Sequence, residues 1–361
     1  MLKIKTTKLQ EMLARAIKGA SNNKLLPMTS LMALELKNGV LTITTTDMTN
    51  YLYVTEQITG DDFYVCVPID KFPKLIARLT CEDVEMDLKE NYLEVKGNGT
   101  YQIEFQLDEN GQMVKFPDPL ASVKRVEVGN VQLSTIKAII NAIRPALATS
   151  ASMPQYTNYF IGDISIGSVV MATDTFKISA LKTSIFGDGE SRLISSEVID
   201  LLDTIIDDNV SIYADETKLA FVAEHGAVYG YVRDGLENFN SAAIGSYLEK
   251  EYPSECKIAK AELLNALDRI ALFLEYSDND MVEINFGTDA VKISSKKSNG
   301  QEVIPYMEKG NVTKCTGSVS LDRFRTQIKA QTGDAVDVQF GDGKSIKISD
   351  DNTILVVALG E

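Results

Sequence analysis

The sequence predicts an α+β protein in which a domain of two helices and about eight strands occurs three times in tandem. One amphipathic helix pattern begins near Leu9, Ile136 and Leu263, and a second begins near Phe72, Val198 and Leu321. The copies are about 125 residues apart, close to a third of the 361-residue chain. Segments with strand-like alternation lie between the helices. The alternative, three unrelated α+β domains, would leave the shared order and spacing to chance.

The first copy shows the elements of the unit most clearly. Its first helix has apolar residues at one face, with i, i+3, i+4 spacing: Leu9, Met12, Leu13, Ala16 and Ile17. The Asn38-Gly39 pair between two strand-like runs predicts a β-hairpin. The second helix has the apolar stripe Phe72, Leu75, Ile76 and Leu79. Pro73 falls in its first turn, where a missing N–H is harmless.

Two short segments separate the copies. The first runs from Phe116 to Pro119 and the second from Leu236 to Pro253. We therefore expect domains at residues 1–120, 121–245 and 246–361.

The composition is typical of a soluble cytoplasmic protein. Hydrophobic residues make up 44% and charged residues 24%, and no apolar run approaches the roughly 20 residues of a membrane span. The N-terminus alternates like a strand and lacks the apolar core of a signal peptide. The four cysteines are scattered without metal-ligand spacing, so we expect reduced thiols rather than a disulfide framework.

The net charge of −15 disfavours nucleic acid as a partner, but the local distribution of charge decides a binding face. Five of the six predicted helices carry a modest excess of Lys and Arg opposite the apolar stripe. The exception is the second helix of the middle copy, which presents Asp200, Asp203 and Asp207. Charge alone leaves two interpretations open: a basic face inside an acidic shell, or ordinary solvated helix surface.

Signals of catalysis are absent from the sequence. The lone histidine, His225, is more typical of a surface or packing residue than of a ligand, and no second histidine or cysteine pair supports a metal site. Neither a phosphate-binding Gly-x-x-x-x-Gly-Lys-Ser/Thr loop nor a Gly-x-Ser-x-Gly elbow occurs. We therefore expect no catalytic residues, no metal and no cofactor. A repeated-domain β-rich hydrolase is the enzyme alternative, and it would need converging carboxylates in one cleft.

Several segments, in order, match a known family. They are Leu25-Leu26-Pro27, "LTITTTDMTNYL" from Leu41, "VPIDKFPKLIARL" from Val67, "MATDTFKIS" from Met171 and the final "ILVVALGE". By these segments and their spacing the whole chain resembles the bacterial sliding clamp, the beta subunit of DNA polymerase III.

The resemblance implies that two chains join head to tail into a ring of six domains with helices lining the hole. Such a ring encircles duplex DNA without reading its sequence, tethers the replicative polymerase for processive synthesis and catalyses nothing itself. Polymerase and clamp-loader subunits would bind through short peptide motifs. A clamp-fold scaffold without DNA tethering is the alternative. The implied DNA-facing residues are Arg15, Lys18, Lys24, Lys74, Arg78, Lys137, Arg269, Arg323 and Lys329.

The resemblance also implies a dimer interface and a peptide pocket. The interface would join Tyr101 and Ile103 to Leu272 and Phe273 of a second copy, although these four residues also suit an ordinary core. The pocket would consist of Phe160, Thr173, Thr175, Phe176, Lys177, Ile178, Tyr247, Ile346 and Leu359.

This chain departs from the family pattern at the pocket. Thr175-Phe176-Lys177 stands where Gly-His-Arg is usual, and the tail lacks the usual Pro and Arg. These changes predict a bulkier pocket with altered partner preference. They indicate a divergent clamp, such as a phage, plasmid or secondary chromosomal copy.

Overall fold

A strand, a helix and three further strands follow one another six times along the chain. The computed structural model describes residues 1–21, 23, 25–108, 110–118, 126–150, 152–186, 189–276, 279–297, 299–350 and 353–360. In five of the six units the helix begins at the residue directly after its strand ends. Each sequence repeat of about 125 residues therefore contains two similar halves.

The helices follow from the apolar stripes seen in the sequence. Those of the repeating units lie at Thr6–Ala16 (α1), Phe72–Ile76 (α2), Leu133–Ile143 (α3), Ser196–Leu201 (α4), Lys260–Ala271 (α6) and Leu321–Ala330 (α7), and an additional helix lies at Ser241–Glu249 (α5). Pro73 is in the first turn of α2, as its position predicts. Ser195 and Ser320 cap α4 and α7 by accepting a hydrogen bond from a first-turn N–H.

The strands fall into three groups, one for each repeat. The first group is Leu2–Lys5 (β1), Leu31–Lys37 (β2), Val40–Thr46 (β3), Asn50–Gln57 (β4), Phe63–Pro68 (β5), Asp83–Leu88 (β6), Tyr92–Lys96 (β7) and Thr100–Glu104 (β8). The second is Val126–Gln132 (β9), Asn158–Ile164 (β10), Gly167–Thr173 (β11), Lys177–Lys182 (β12), Arg192–Ser195 (β13), Asn209–Ala214 (β14), Lys218–Ala223 (β15) and Gly226–Tyr231 (β16). The third is Ser254–Ala259 (β17), Met281–Phe286 (β18), Ala290–Ser295 (β19), Gln301–Pro305 (β20), Glu308–Lys309 (β21), Cys315–Ser320 (β22), Ala335–Phe340 (β23), Ser345–Ser349 (β24) and Thr353–Ala358 (β25).

The two halves of each repeat exchange their first strands. In the first repeat, β1 pairs with β6 of the second half, while β5 pairs with β2 of the first half. The same exchange joins β9 to β14 and β13 to β10 in the second repeat, and β17 to β23 and β22 to β18 in the third. Each repeat thus consists of two similar halves that exchange their first strands, and its mixture of helices and antiparallel strands agrees with the predicted α+β class.

Neighbouring repeats share continuous antiparallel sheets. Strand β4, the last of its half-repeat, pairs with β16, which completes an eight-stranded sheet of order β5-β2-β3-β4-β16-β15-β14-β9. Strand β12 pairs with β25 in a nine-stranded sheet of order β13-β10-β11-β12-β25-β24-β23-β17-β21. The other two sheets have four strands each, in the orders β1-β6-β7-β8 and β20-β19-β18-β22.

Because the long sheets cross the repeats, the compact units of the chain do not follow the sequence copies. One unit is Met1–Leu133 with Ser195–Val232, and the other is Ser134–Ile194 with Arg233–Glu361. The expected domain boundary at 120/121 lies outside the described residues, and the boundary at 245/246 stays a prediction about the sequence repeats.

Helices and sheets bury the predicted stripes. In the first unit, Leu9, Met12 and Leu13 of α1 are buried, and α1 contacts α2, β3 and β4. In the second unit, the stripes of α6 and α7 enter one cluster with residues of β17–β20 and β22–β25. This cluster includes the stacked rings of Phe286 and Phe340. No helix in the described part of the chain is long and apolar enough to cross a membrane.

The structure differs from the sequence-based expectation between the second and third repeats. The segment from Leu236 to Pro253, expected to be a linker, contains helix α5, whose Ile244 and Leu248 are buried. Asn240 caps this helix through the N–H of Ala243. The i, i+4 pair and the Asn cap were the available signals, but nine residues gave too short a pattern to separate from a polar linker.

Candidate functional site

Three of the candidate cations in the first unit are exposed. Lys18 follows α1, Lys74 lies on α2 and Arg78 lies two residues beyond α2. The Arg78 guanidinium donates to the Lys74 carbonyl at 3.3 Å. Among the described residues, none of the three has a carboxylate within ion-pair distance, so their charges face solvent.

Arg15 is different because its guanidinium binds the protein itself. Its Nε donates to the carbonyl of Thr204 and its Nη2 to the carbonyl of His225, both at 2.7 Å. Burial lowers the pKa of Arg15, although Asp207 and Glu56 oppose that shift. These contacts tie α1 to segments of the second repeat within the same unit. We therefore assign Arg15 to packing rather than to the DNA-facing set.

The candidate cations of the second unit are less uniform. Arg269 makes a two-pronged ion pair with Glu302, at 2.7 and 2.9 Å. Arg323 lies over the ring of Phe176, 5.1 Å from its centroid. Lys137 is half-buried, whereas Lys329 is exposed on α7. Lys24 lies outside the described residues.

A compact charged cluster around the lone histidine includes Asp207, six residues beyond the end of α4. The Nδ1 of His225 is 2.7 Å from Oδ1 of Asp207, and the His225 N–H donates to Oδ2 of the same carboxylate at 3.1 Å. Potential ligand atoms of Asp207, Glu224 and His225 lie within 4.8 Å of one another. The hydrogen bond to Asp207 is the main cause of a raised pKa at His225. We interpret the contact between His225 and Asp207 as an ion pair that fixes the turn between β15 and β16.

A cavity of about 320 Å³ lies in the second unit beside the start of β12. Its lining consists of Leu147, Ala148, Thr149, Ser150, Ser152, Met153, Tyr156, Asp174, Thr175, Phe176, Lys177 and Arg323. The lining combines apolar side chains such as Leu147 and Met153 with hydroxyl groups, an aromatic ring and charged side chains. A cavity of this size with apolar and polar groups can accept side chains of a short peptide.

An exposed apolar patch surrounds the C-terminal end of α6. The exposed fractions are 81% for Leu272 and 49% for Phe273. Tyr276 is also fully exposed. Large apolar side chains gathered in this way are typical of a protein interface.

Comparison with known proteins agrees with this architecture. A curated protein named Beta sliding clamp, from Staphylococcus epidermidis, is 22% identical over 353 residues, which cover 90% of this chain and 88% of that protein. The solved DNA polymerase sliding clamp from Bacillus subtilis has a TM-score of 0.86 at 16% identity and covers 100% of this chain and 98% of its own. The beta subunit from DNA polymerase of Streptococcus pyogenes has a TM-score of 0.86 at 15% identity, with both chains covered completely. No protein-family model matches.

This chain has the fold of a bacterial sliding clamp. The α+β prediction and the resemblance to this family are confirmed, since the likeness extends over the whole chain. The low identity is consistent with the departures seen at the pocket.

The nine residues expected in the peptide pocket fall into three groups according to their burial and their contact with the cavity. Thr175, Phe176 and Lys177 line the cavity. Phe160, Thr173, Ile178 and Ile346 are buried. Tyr247 is half exposed on α5, and Leu359 packs partly against the core of the third repeat. The pocket assignment as a whole stays a prediction.

Sequence reasoning placed only three of the twelve lining residues in the pocket and missed, among others, Met153, Tyr156 and Arg323. The first two lie in an irregular segment with no hydrophobic period, so no pattern marked them. Arg323 was assigned to the DNA side because it lies opposite the apolar stripe of α7. A helical wheel shows that such a residue is exposed but not what it faces.

The expected interface residues lie near the free edges of the two four-stranded sheets. Tyr101 is half-buried and Ile103 buried on β8, whereas Leu272 and Phe273 are exposed beyond α6. Since Ile103 is buried, what β8 exposes among the described residues is its strand edge rather than this side chain.

Proposed function

We propose that this protein is a non-catalytic DNA sliding clamp that encircles duplex DNA and tethers the replicative polymerase. The observation that carries the proposal is the sixfold strand-helix-three-strand unit, which matches solved polymerase clamps along the complete chain. Curated relatives with the name Beta sliding clamp support the same function.

The pairing of the last strands supports ring closure by a second copy. The six half-repeats have six last strands. Four of these pair with each other within the chain: β4 with β16, and β12 with β25. In both pairs, the first half of one repeat joins the second half of the next. The same rule would join β20 of the third repeat to β8 of the first repeat in a second chain. Within the described residues, these two strands lie at sheet edges without a further partner.

The two edges are matched in their burial pattern. From end to end, β8 and β20 both have the sequence exposed, half-buried, exposed, buried, exposed. Unpaired strand edges expose N–H and C=O groups that favour pairing with another chain. Two identical head-to-tail contacts would close a dimeric ring, and the exposed Leu272 and Phe273 would then be covered.

Contact with DNA would come from exposed cations on the helices. Lys18, Lys74, Arg78, Arg323 and Lys329 are the exposed members of the predicted set without a carboxylate partner among the described residues, and Arg323 lies over the Phe176 ring. A few unpaired cations bind phosphates weakly and without reading bases, which allows sliding. The overall charge of −15 would further limit the residence of DNA at any one position.

The cavity beside β12 would receive peptide segments of the polymerase and of the clamp loader. Its volume of about 320 Å³ suits one or two anchor side chains, and its lining offers apolar and polar groups to them. A clamp with these partners would act in the cytoplasm, together with the replication machinery.

The test is topological. The protein is incubated with nicked circular plasmid so that exchanging dimers can close around it, and the mixture is passed through gel filtration at high salt. Retention on the circle that is lost after one restriction cut is the expected result, because a ring slides off a free end. Equal retention on circular and linear DNA would contradict encirclement.

A further inference from the structure

The structure brings together three potential metal ligands of the first unit that the sequence separates. Asp207 lies 18 positions before His225, and Glu224 directly precedes the histidine. Ligand atoms of these three residues, which form the histidine cluster, lie within 4.8 Å of one another. Their spacing along the chain is not typical of a metal site, so the sequence alone did not predict one there.

The donor atoms of the histidine cluster suit a transition-metal dication. The imidazole offers a nitrogen, and Asp207 and Glu224 offer carboxylate oxygens, a combination found in protein sites for Zn²⁺. Mg²⁺ and Ca²⁺ favour oxygen ligands alone, so the imidazole selects against them. With a neutral imidazole, the two carboxylates carry two negative charges, which one dication balances.

The distances in the cluster require only a small adjustment when an ion binds. Nδ1 of His225 is 2.7 Å from Oδ1 of Asp207, a hydrogen-bond distance. With metal–ligand distances of about 2.1 Å, two ligand atoms of a tetrahedral zinc ion are about 3.4 Å apart, so these two atoms would separate by about 0.7 Å. Glu224 is exposed, and its carboxylate can turn toward the same point. The ion pair of His225 and Asp207 is then the metal-free state of the site.

The ligands are already held in place by hydrogen bonds. Oδ2 of Asp207 accepts the N–H of His225 at 3.1 Å, which leaves Oδ1 for an ion. The carbonyl of His225 accepts the Nη2–H of Arg15 at 2.7 Å and the N–H of Thr55 at 3.2 Å. The carbonyl of Glu224 accepts the Thr55 hydroxyl at 3.0 Å. Contacts that orient the ligands of a metal ion increase its affinity.

The charged side chains of the neighbouring elements have other partners. Glu56 of β4 lies near His225 but pairs with Lys8 of α1 at 2.8 Å. The Arg15 guanidinium donates to the carbonyls of Thr204 and His225. Its positive charge opposes a bound cation, so we expect a lower affinity than that of a structural zinc site with four protein ligands.

We propose that Asp207, Glu224 and His225 bind a transition-metal dication of the zinc class, with a water molecule as the fourth ligand. The bound ion links the segment between α4 and β14 to the turn between β15 and β16. Because β16 pairs with β4, the ion stabilises the place where the second repeat joins the first. The inference does not rest on the clamp function, since it concerns ion binding by the protein alone.

The experiment observes the imidazole directly. Untagged, full-length protein with ¹⁵N-labelled histidine is freed of metal with EDTA, and its imidazole ¹⁵N signals are recorded during titration with ZnCl₂ at neutral pH. His225 is the single histidine of the chain, so the ring signals need no assignment. We expect Zn²⁺ to shift the Nδ1 signal and to leave Nε2 protonated, whereas MgCl₂ at the same concentration should leave both unchanged.

The affinity for Zn²⁺ is measured on the same samples by competition with a zinc-binding dye. Glu224→Gln changes an exposed side chain and should weaken binding at least about 10-fold, while His225→Gln should remove binding at this site. Glu216→Gln is the matched control, because Glu216 is exposed on the β14–β15 turn and loses the same charge. At Zn²⁺ ten times above the dissociation constant, the melting temperature should rise by about 3–6 °C in the parent and in Glu216→Gln.

Four results would overturn the inference. They are an Nδ1 signal that does not change in millimolar Zn²⁺, an affinity that Glu224→Gln leaves intact, an equal affinity for Mg²⁺, and an equal rise in melting temperature in His225→Gln. The second result would show that the histidine binds the ion without this cluster, and the third that carboxylates attract any dication. Retention on circular DNA in EDTA tests the clamp function separately.

Discussion

At the scale of single residues, the ion pair of His225 and Asp207 makes part of the first unit sensitive to pH. The raised pKa of His225 comes mainly from the hydrogen bond to Asp207, with smaller contributions from Glu224 and Glu56. A histidine whose pKa is raised by folding stabilises the folded state fully below its ordinary value of about 6.5. That stabilisation is lost as the pH rises through the higher pKa of the folded state. The effect is small, because the His225 side chain is 34% exposed and solvent screens the pair.

We expect His225→Gln to lower the melting temperature at pH 5.5 by more than at pH 8.5, since only the protonated imidazole gains from the carboxylate. The measurement is the difference in melting temperature between parent and variant at several pH values, which cancels the effect of other titrating groups. Asp207→Asn should remove the same pH-dependent difference. A difference that does not change with pH would show that the ring contributes by packing alone.

Side-chain exposure could be predicted from the sequence, but the partners of those side chains could not. Arg15, Arg269 and Arg323 all lie opposite an apolar stripe, yet the first binds carbonyls, the second a carboxylate and the third an aromatic ring. Arg15 and Thr204 are 189 positions apart. Such contacts depend on how the repeats come together, which the spacing of one helix does not contain.

At the scale of elements, the apolar spacing of the longer helices could be detected in the sequence more easily than the division of each repeat into two halves. Helices α1, α3, α6 and α7 have ten residues or more and gave clear stripes, whereas α2 and α4 have five and six. Strands such as β13, with four buried residues, show no alternation to detect. The division of each repeat into two halves therefore becomes visible only when the first strands are seen to exchange.

The contact between β16 and α4 leaves no room for a side chain at Gly230. A Cβ there would lie 2.1 Å from Cγ2 of Val198 and 3.2 Å from Oδ1 of Asn50. We expect Gly230→Ala to destabilise the first unit by about 1–3 kcal/mol, the usual cost of overpacking. The shift of the urea unfolding midpoint measures it.

Val198→Ala provides the matched control, because it removes the methyl group that the new Cβ would meet. The double variant should lose less stability than the sum of the two single losses. Strict additivity would mean that the backbone of β16, rather than Val198, resists the substitution.

At the scale of the whole molecule, the proposed ring depends on one kind of contact, the pairing of β20 in one chain with β8 in the other. This contact would occur twice in a dimer. The patch at the end of α6 is covered only if a second chain adds β8 to β20. We expect the parent protein to have twice the monomer mass of 39.7 kDa by light scattering. Leu272→Asp with Phe273→Asp should weaken the dimer by about 30-fold or more, since burying an unpaired charge at the centre of an interface costs 2 kcal/mol or more.

Ile206→Asp is the control for this change. Ile206 is 60% exposed, comparable to the interface pair, but it lies between α4 and β14, a strand of the eight-stranded sheet and of neither four-stranded sheet. The control should remain dimeric and stay on circular DNA, whereas the Leu272/Phe273 variant should become monomeric and leave it. A dimer that tolerates both aspartates would place the contact elsewhere on the chain. Monomers from the Ile206 variant as well would show that the charge acts through general destabilisation, because the pairing rule predicts an effect at only one of the two surfaces.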